Sequence, residues 1–236
     1  MYILVVEDDQ FTSAMVQFAL SKEGYEVETI DNPHGAMHMI NKQEPDLLIL
    51  DIGMPYQNGF EFSKKLRSAG YKIPIIFMTA RDAIEDKLQA FTLGADDYIS
   101  KPFNYQELVA RTQAVMRRVK KDTDKGNQSI RSGKFELLPA ELKVVKPDCT
   151  PILLTPNEMR VLRVLMTSAG QVVKREHIFA EVWDDEDPSS NSVDVYIRRL
   201  RVKLEVDPEH PQHIIAIRGS GYKFVGTQDK SGPHAR

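Results

Sequence analysis

One cysteine stands in the 236 residues of this chain. Cys149 therefore closes no disulfide within the chain and joins no multi-cysteine metal centre, as expected of a reducing, cytoplasmic setting. No apolar stretch approaches the roughly 18 residues that cross a bilayer, and no signal-peptide pattern precedes the first apolar run at Ile3. Internal repeats and low-complexity tracts are lacking too. Charge of one sign is also scarce: the formal net charge is −3, which excludes a wholly basic, nucleic-acid-coating chain. What is there, 42% hydrophobic and 28% charged residues, is the composition of a soluble globular protein of one large or two ordinary domains.

The near-neutral total hides a layout. Residues 1–119 carry 17 acidic and 12 basic side chains, a net of −5, whereas residues 132–236 carry 15 of each. Within that neutral half, Arg198, Arg199, Arg201 and Lys203 fall within six positions. A local basic stripe, not a basic domain, is the feature to explain.

The first half alternates short apolar runs with longer amphipathic stretches. The pattern predicts strands at 2–6, 26–30, 46–50, 74–78 and 97–99, and helices at about 10–23, 33–42, 58–69, 83–93 and 104–118. Gly24-Tyr25 and Gly70-Tyr71 mark two helix ends. Five βα units of this length imply a parallel sheet covered on both faces. Residues 120–131, KKDTDKGNQSIR, are polar and aperiodic and read as a linker.

Beyond the linker, strand-like pieces at 133–138, 142–146 and 151–154 precede three helical stretches. Pro156 opens the first after Thr155, and Glu158, three residues after Thr155, completes a capping box. The others fall near 174–183 and 190–205. Two apolar strands, 214–217 and 222–225, flank Arg218-Gly219-Ser220-Gly221 as a hairpin. Three helices followed by a hairpin describe an α+β winged helix-turn-helix over 132–227, with 228–236 expected to be a disordered tail.

Three apolar runs of the first half end in chemistry. Ile3–Val6 leads into Glu7, Asp8 and Asp9; Leu47–Leu50 ends at Asp51; Ile75–Met78 ends at Thr79; and Lys101-Pro102 follows Tyr98-Ile99-Ser100. At the carboxyl ends of parallel strands these groups share one crevice. Crowded carboxylates repel one another unless a cation binds. Mg²⁺ suits oxygen donors, here Asp8 and Asp51 directly, Glu7 through water and the Gly53 backbone carbonyl. With Lys101 and the Thr79 hydroxyl the set suits transfer of a phosphoryl group onto Asp51. Asp9 is expected to cap the first helix.

At the segments VVEDD (5–9), LLILDIGMP (47–55), MTA (78–80) and GADDYISKPF (94–103), residues 1 to about 118 resemble the receiver domain of two-component signalling. The resemblance implies a doubly wound, flavodoxin-like α/β fold in which Asp51 accepts phosphate from a histidine kinase. Lys101 would bind the acyl phosphate, and Thr79 and Tyr98 would form the switch pair. Gly53 departs from the bulkier residues common at its position; as its carbonyl is the ligand, coordination is expected to survive. In receivers with a winged-helix output, charge pairs cross a twofold face. Carried over, Lys87 meets Glu107, Asp97 meets Arg111 and Asp96 meets Arg118, around an apolar patch of Ile84, Phe91 and Val109. A homodimer on activation is the implication. Read without the resemblance, Glu107 and Arg111, four apart on one helix, are an ordinary solvated face.

Residues 192–204 read as one helix whose buried stripe is Val193, Ile197, Leu200 and Leu204. Tyr196, Arg199 and Lys203 share another face. Arg199 suits a bidentate guanine contact, and Tyr196 a thymine methyl or a phosphate. Arg198, Arg201 and Lys203 suit phosphates, and Asn191 and Ser192 stand at the helix start. Arg218 on its tight turn suits a minor groove. The alternative is a basic face paired with acids.

Through LTPNEMRVLRVL, SVDVYIRRLRVKLE and RGSGYKF the span from about Ser132 to Val225 resembles the output domain of the OmpR/PhoB family. That implies tandem binding to direct-repeat half-sites on double-stranded DNA. The family can use the position of the loop Asp184-Asp185-Glu186-Asp187-Pro188 to contact RNA polymerase. Four acids in a row repel DNA, so a protein partner or plain solvation is the reading there.

The expected function is a phosphorylation-activated, sequence-specific transcription regulator, not an enzyme. One alternative is a constitutive DNA binder with an unused receiver. Another, a Mg²⁺-dependent phosphatase, needs a second acid near Asp51, which Ile52, Gly53 and Met54 do not provide.

Overall fold

The computed structural model describes residues 1–55, 58–80, 95–124, 128–146, 150–183 and 192–226, with 120–124 and 192 by backbone only. The chain divides into two compact units, Met1–Lys121 and Asp122–Arg236. Among the described residues no helix is long and apolar enough to cross a membrane.

In the first unit, β1 (Tyr2–Val6), β2 (Glu26–Ile30), β3 (Leu47–Asp51), β4 (Ile75–Thr79) and β5 (Asp97–Ser100) form one parallel sheet in the order β2-β1-β3-β4-β5. Every residue of β1, β3 and β4 is buried, as continuous Val/Ile/Leu runs require of strands covered on both faces. Alternate residues separate the two cores. Leu4, Leu48 and Phe77 pack with Phe60 on one face, and Ile3, Ile49 and Ile76 pack with Leu108 on the other. β3 and β4 each end one residue later than the apolar pattern predicts. Asp51 and Thr79 are themselves in the ladder, paired with Met78 and Ser100.

Helices α1 (Gln10–Lys22), α2 (Pro33–Lys42), α3 (Gly59–Ser68) and α4 (Tyr105–Asp124) follow β1, β2, β3 and β5. Their starts are capped by short polar side chains: Asp9 accepts the Thr12 N–H at 2.7 Å, Asn32 that of Gly35 at 2.7 Å and Asn58 that of Phe60 at 2.9 Å. The helix expected at 83–93 lies outside the described residues. α4 departs from expectation by running through Asp124 into the predicted linker. Its last turns are charged and polar, so no apolar period marks them, yet such residues propagate a helix well enough.

In the second unit, β6 (Ile130–Ser132), β7 (Phe135–Leu138), β8 (Lys143–Val145) and β9 (Ile152–Leu153) form an antiparallel sheet in sequence order. β6 also begins inside the stretch expected to be linker. Three helices follow, α5 (Pro156–Thr167), α6 (Arg175–Trp183) and α7 (Ser192–Leu204). Both arms of the Thr155–Glu158 capping box are formed at the start of α5. A second sheet, β10-β12-β11, joins β10 (Val172–Val173) to the hairpin of β11 (Ile214–Ile217) and β12 (Gly221–Phe224). Gly221 is required there: its φ is +141°, and a Cβ would overlap the Val173 carbonyl. The unit is a winged helix.

Candidate functional site

The carboxyl ends of β1, β3, β4 and β5 bring the sequence-predicted acids and lysine together. One carboxylate oxygen from each of Glu7, Asp8 and Asp51 lies within 4.8 Å of the others. Lys101 Nζ donates to Glu7 Oε2 at 2.6 Å and stands 3.3 Å from Asp51 Oδ1. Glu7, Asp51 and Thr79 are buried, while Asp8 is exposed at the rim. Thr79 is tied to the same strand end, since its carbonyl accepts the Lys101 N–H at 2.6 Å. A cavity of about 390 Å³ opens beside the acids, lined by Glu7, Asp8, Gln10, Ser13 and Asp31 among others.

Electrostatics follow from this crowding. Burial pushes the Glu7 carboxyl above its ordinary value, with the Lys101 hydrogen bond opposing and the Asp51 charge adding. Burial alone would lower the Lys101 ammonium, but the hydrogen bond to Glu7 and the charge of Asp51 carry it above its ordinary value. Three carboxylates against one ammonium leave the cluster negative. Hard oxygen donors in excess suit a small divalent cation, so the residues fit Mg²⁺. Gly53 does not spoil the fit: a Cβ there would meet Asp51 Oδ2 at 3.6 Å, ordinary contact.

Gly59 is a site residue the sequence reasoning missed. It packs directly on the Asp51 backbone, and a Cβ at Gly59 would overlap the Asp51 carbonyl. Its N–H donates to the Ile52 carbonyl at 3.2 Å. The signal was the Asn58-Gly59 pair, a helix cap followed by the one residue small enough for the approach.

Tyr98 is half-buried, packed on the Leu4/Phe77 core, with the Arg111 guanidinium 5.8 Å from its ring centre. Of the residues expected on a twofold face, Ile84, Lys87 and Phe91 lie outside the described residues. The others make contacts within this chain. Arg111 pairs with Asp97 at 3.0 Å and with Glu107 at 3.0 Å. Asp96 accepts the Ile75 N–H at 3.0 Å, and Asp96, Asp97 and Arg118 are buried. Burial raises the Asp97 carboxyl, with the charges of Arg111 and Arg118 opposing. Val109 is half-buried against the Ile3/Ile49 core.

α7 carries the predicted stripe inward, and Val193, Ile197, Leu200 and Leu204 are all buried. Tyr196 corrects the expectation of a DNA contact. It is fully buried, its ring centre 5.4 Å from that of Trp183 and its hydroxyl accepting from Asn157 Nδ2 at 3.3 Å. Tyr196 lies three residues from Val193 and four from Leu200, so it widens the apolar stripe to that of a core-facing helix.

Arg199 and Lys203 also turn inward. Lys203 Nζ donates to Glu158 Oε2 at 2.6 Å and to the Leu153 carbonyl at 2.9 Å. Arg199 Nη2 is 2.7 Å from Glu158 Oε1, as an ion pair rather than a well-aligned hydrogen bond. Two of the five cations expected to reach DNA are thus engaged by a buried acid. Arg198 and Arg218 are exposed, and Arg201 is half-buried, donating to the Ile214 carbonyl at 3.0 Å. Asn191, the Ser192 side chain and the acidic loop 184–188 lie outside the described residues.

Known proteins match along both units. Residues 3–113 match the family described as response regulator receiver domain, and residues 149–224 the family described as transcriptional regulatory protein, C terminal. Two mutants of RitR are similar over 94% of this chain and 98% of theirs, at 26% identity with TM-scores of 0.80 and 0.79. DrrB of Thermotoga maritima, described as an OmpR/PhoB homolog, is 30% identical over 95% of this chain and 99% of its own, with a TM-score of 0.46.

Proposed function

This chain belongs to the OmpR/PhoB family of two-component response regulators, and from that premise we propose that phosphorylation of Asp51 by a histidine kinase switches its binding to double-stranded DNA. The observation that carries the proposal is the surplus of negative charge where Glu7, Asp8 and Asp51 converge and Lys101 meets only Glu7 and Asp51. Glu7, Asp8, Asp51 and the Gly53 carbonyl would hold Mg²⁺, which when bound supplies positive charge against the phosphoryl oxygens.

The Asp51 carboxylate is the nucleophile toward phosphorus, forming an acyl phosphate as the phosphorus–nitrogen bond to the kinase histidine breaks and the imidazole leaves, and Lys101, already 3.3 Å away, stands ready to pair with the added oxygens. The Thr79 hydroxyl, at the adjacent strand end, is the second donor. As Thr79 is drawn toward the new charge, Tyr98 moves into the space released. A change from mostly off to mostly on requires about 3–5 kcal/mol of preference between the two states, within reach of one lysine–phosphate contact plus one hydroxyl hydrogen bond and the bound cation. The chain provides only its own acceptor, so it is a substrate more than an enzyme.

In the active state Asp97, Glu107 and Arg111 exchange their pairing within the chain for pairing across a twofold axis, giving an isologous dimer. The dimer places two winged helices on adjacent direct-repeat half-sites and raises the effective concentration of the second at its site. Arg198 and Arg201 on α7 and Arg218 on the wing are the proposed DNA contacts. Arg199 joins them only if its pair with Glu158 opens.

Intact mass tests the proposal after incubation with Mg²⁺ and a small phosphodonor, with Asp51→Asn alongside. One added phosphate on wild type and none on the variant is expected. Equal modification of both would move the acceptor elsewhere and sink the proposal.

A further inference from the structure

Three polar groups that the phosphorylation reading leaves unused converge from three elements of the second unit. Arg175 opens α6, Asp194 lies in the first turn of α7, and Tyr222 lies on β12 beside the wing. The Tyr222 hydroxyl donates to Asp194 Oδ1 at 2.8 Å, and Arg175 Nε donates to the same oxygen at 2.9 Å. Arg175 Nη2 closes the triangle, donating to the Tyr222 hydroxyl at 3.2 Å. The Arg175 guanidinium lies 4.9 Å from the Tyr222 ring centre, and that of Arg201 6.0 Å. Tyr222 is buried, whereas the Arg175 and Asp194 side chains are about half exposed.

An exposed ion pair alone contributes little to stability. This one is anchored on a buried ring, and that ring sits one residue from the wing turn. Burial, then the hydrogen bond to Asp194, raises the Tyr222 phenol above its ordinary value, so it remains a donor near neutral pH. The triangle therefore ties the start of α7 to the base of the hairpin. The exposed cations it relates are Arg198 on the helix and Arg218 on the turn.

We infer that Tyr222 is a positioning residue for sequence recognition, holding the wing against α7 through Asp194 so that Arg198 and Arg218 meet one duplex in a fixed register. The inference rests on the DNA-binding reading of the second unit. A helix in one groove and an arm in the next reinforce each other only when their spacing matches that of the duplex. Loss of the tie leaves each contact possible and their combination poor.

The test uses the full chain with phosphodonor present, and the duplex that wild type enriches from random-sequence double-stranded DNA. Tyr222→Phe keeps the buried ring and removes the hydroxyl. Its affinity for the enriched duplex should fall about tenfold, the scale of one hydrogen bond to a charged group, while its affinity for random-sequence duplex is retained. In that background Arg218→Ala should cost less than it does in wild type, since the wing is already out of register. Asp194→Asn, which keeps an oxygen acceptor for the phenol, should retain the discrimination. Equal discrimination by Tyr222→Phe and wild type overturns the inference. A parallel fall on both duplexes also overturns it, because that marks a structural role alone. Failure of wild type to enrich any duplex overturns the DNA-binding reading instead, and shows before any variant is measured.

Discussion

Glu7 in the first unit and Glu158 in the second are both buried, and each holds a lysine at 2.6 Å. Their surroundings carry opposite charge. Glu7, Asp8 and Asp51 against Lys101 make three negative charges and one positive, a net of −2. Glu158 against Arg199 and Lys203 makes one negative and two positive, a net of +1. Glu158 is also filled on the backbone side, where its Oε2 accepts the Thr155 N–H at 2.8 Å. The first cluster keeps an unbalanced negative charge and borders an open cavity. The second has spent its acid on two helices. A buried carboxylate is thus weak evidence of chemistry by itself; the local surplus decides.

Four outcomes sharpen or break this contrast. Glu158→Leu should cost the second unit about 3–5 kcal/mol, because two part-buried cations lose their acid. Urea denaturation followed at Trp183, the single tryptophan, reads it, and a loss below about 1 kcal/mol would show that the cluster is not held by its charges. Mg²⁺ at a hundredfold its Kd should stabilise the first unit by about 2.7 kcal/mol. Circular dichroism reports that transition; movement of the Trp183 transition with it would erase the difference between the two clusters. Gly59→Ala should destabilise the first unit by about 1–3 kcal/mol through overpacking on Asp51, and slow its phosphorylation by the small donor. Unchanged rate and stability would mean that the Asp51 backbone yields freely. Thr155→Ala, which removes one arm of the capping box, should cost about 1 kcal/mol. A cost matching that of Glu158→Leu would make capping, not charge, the main role of Glu158.

The first unit was legible because strand chemistry has a simple grammar. Apolar runs end where Glu7, Asp51 and Thr79 begin, and parallel strands bring those ends together whatever intervenes. α7 was harder. Its stripe was read correctly at Val193, Ile197, Leu200 and Leu204, but Tyr196 has an apolar body and a polar tip, and its position also suits the core. The pairing of Arg199 and Lys203 is hidden for another reason: their partner Glu158 is 45 residues from Lys203 in the chain and already explained as a cap. Nothing local betrays such a pairing. The two-residue β10 and the polar end of α4 lacked any periodic signal to read.

The hydrogen bond between Lys101 and Glu7 spans 94 positions of the chain. Glu7 follows β1, whereas its partner follows β5, so every other strand of the sheet lies between them in the chain. Until β5 docks, Asp51 has no lysine beside it. A chain cut before β5 therefore lacks the ammonium that balances its acids, and the charge of the cluster is set only when the sheet is complete.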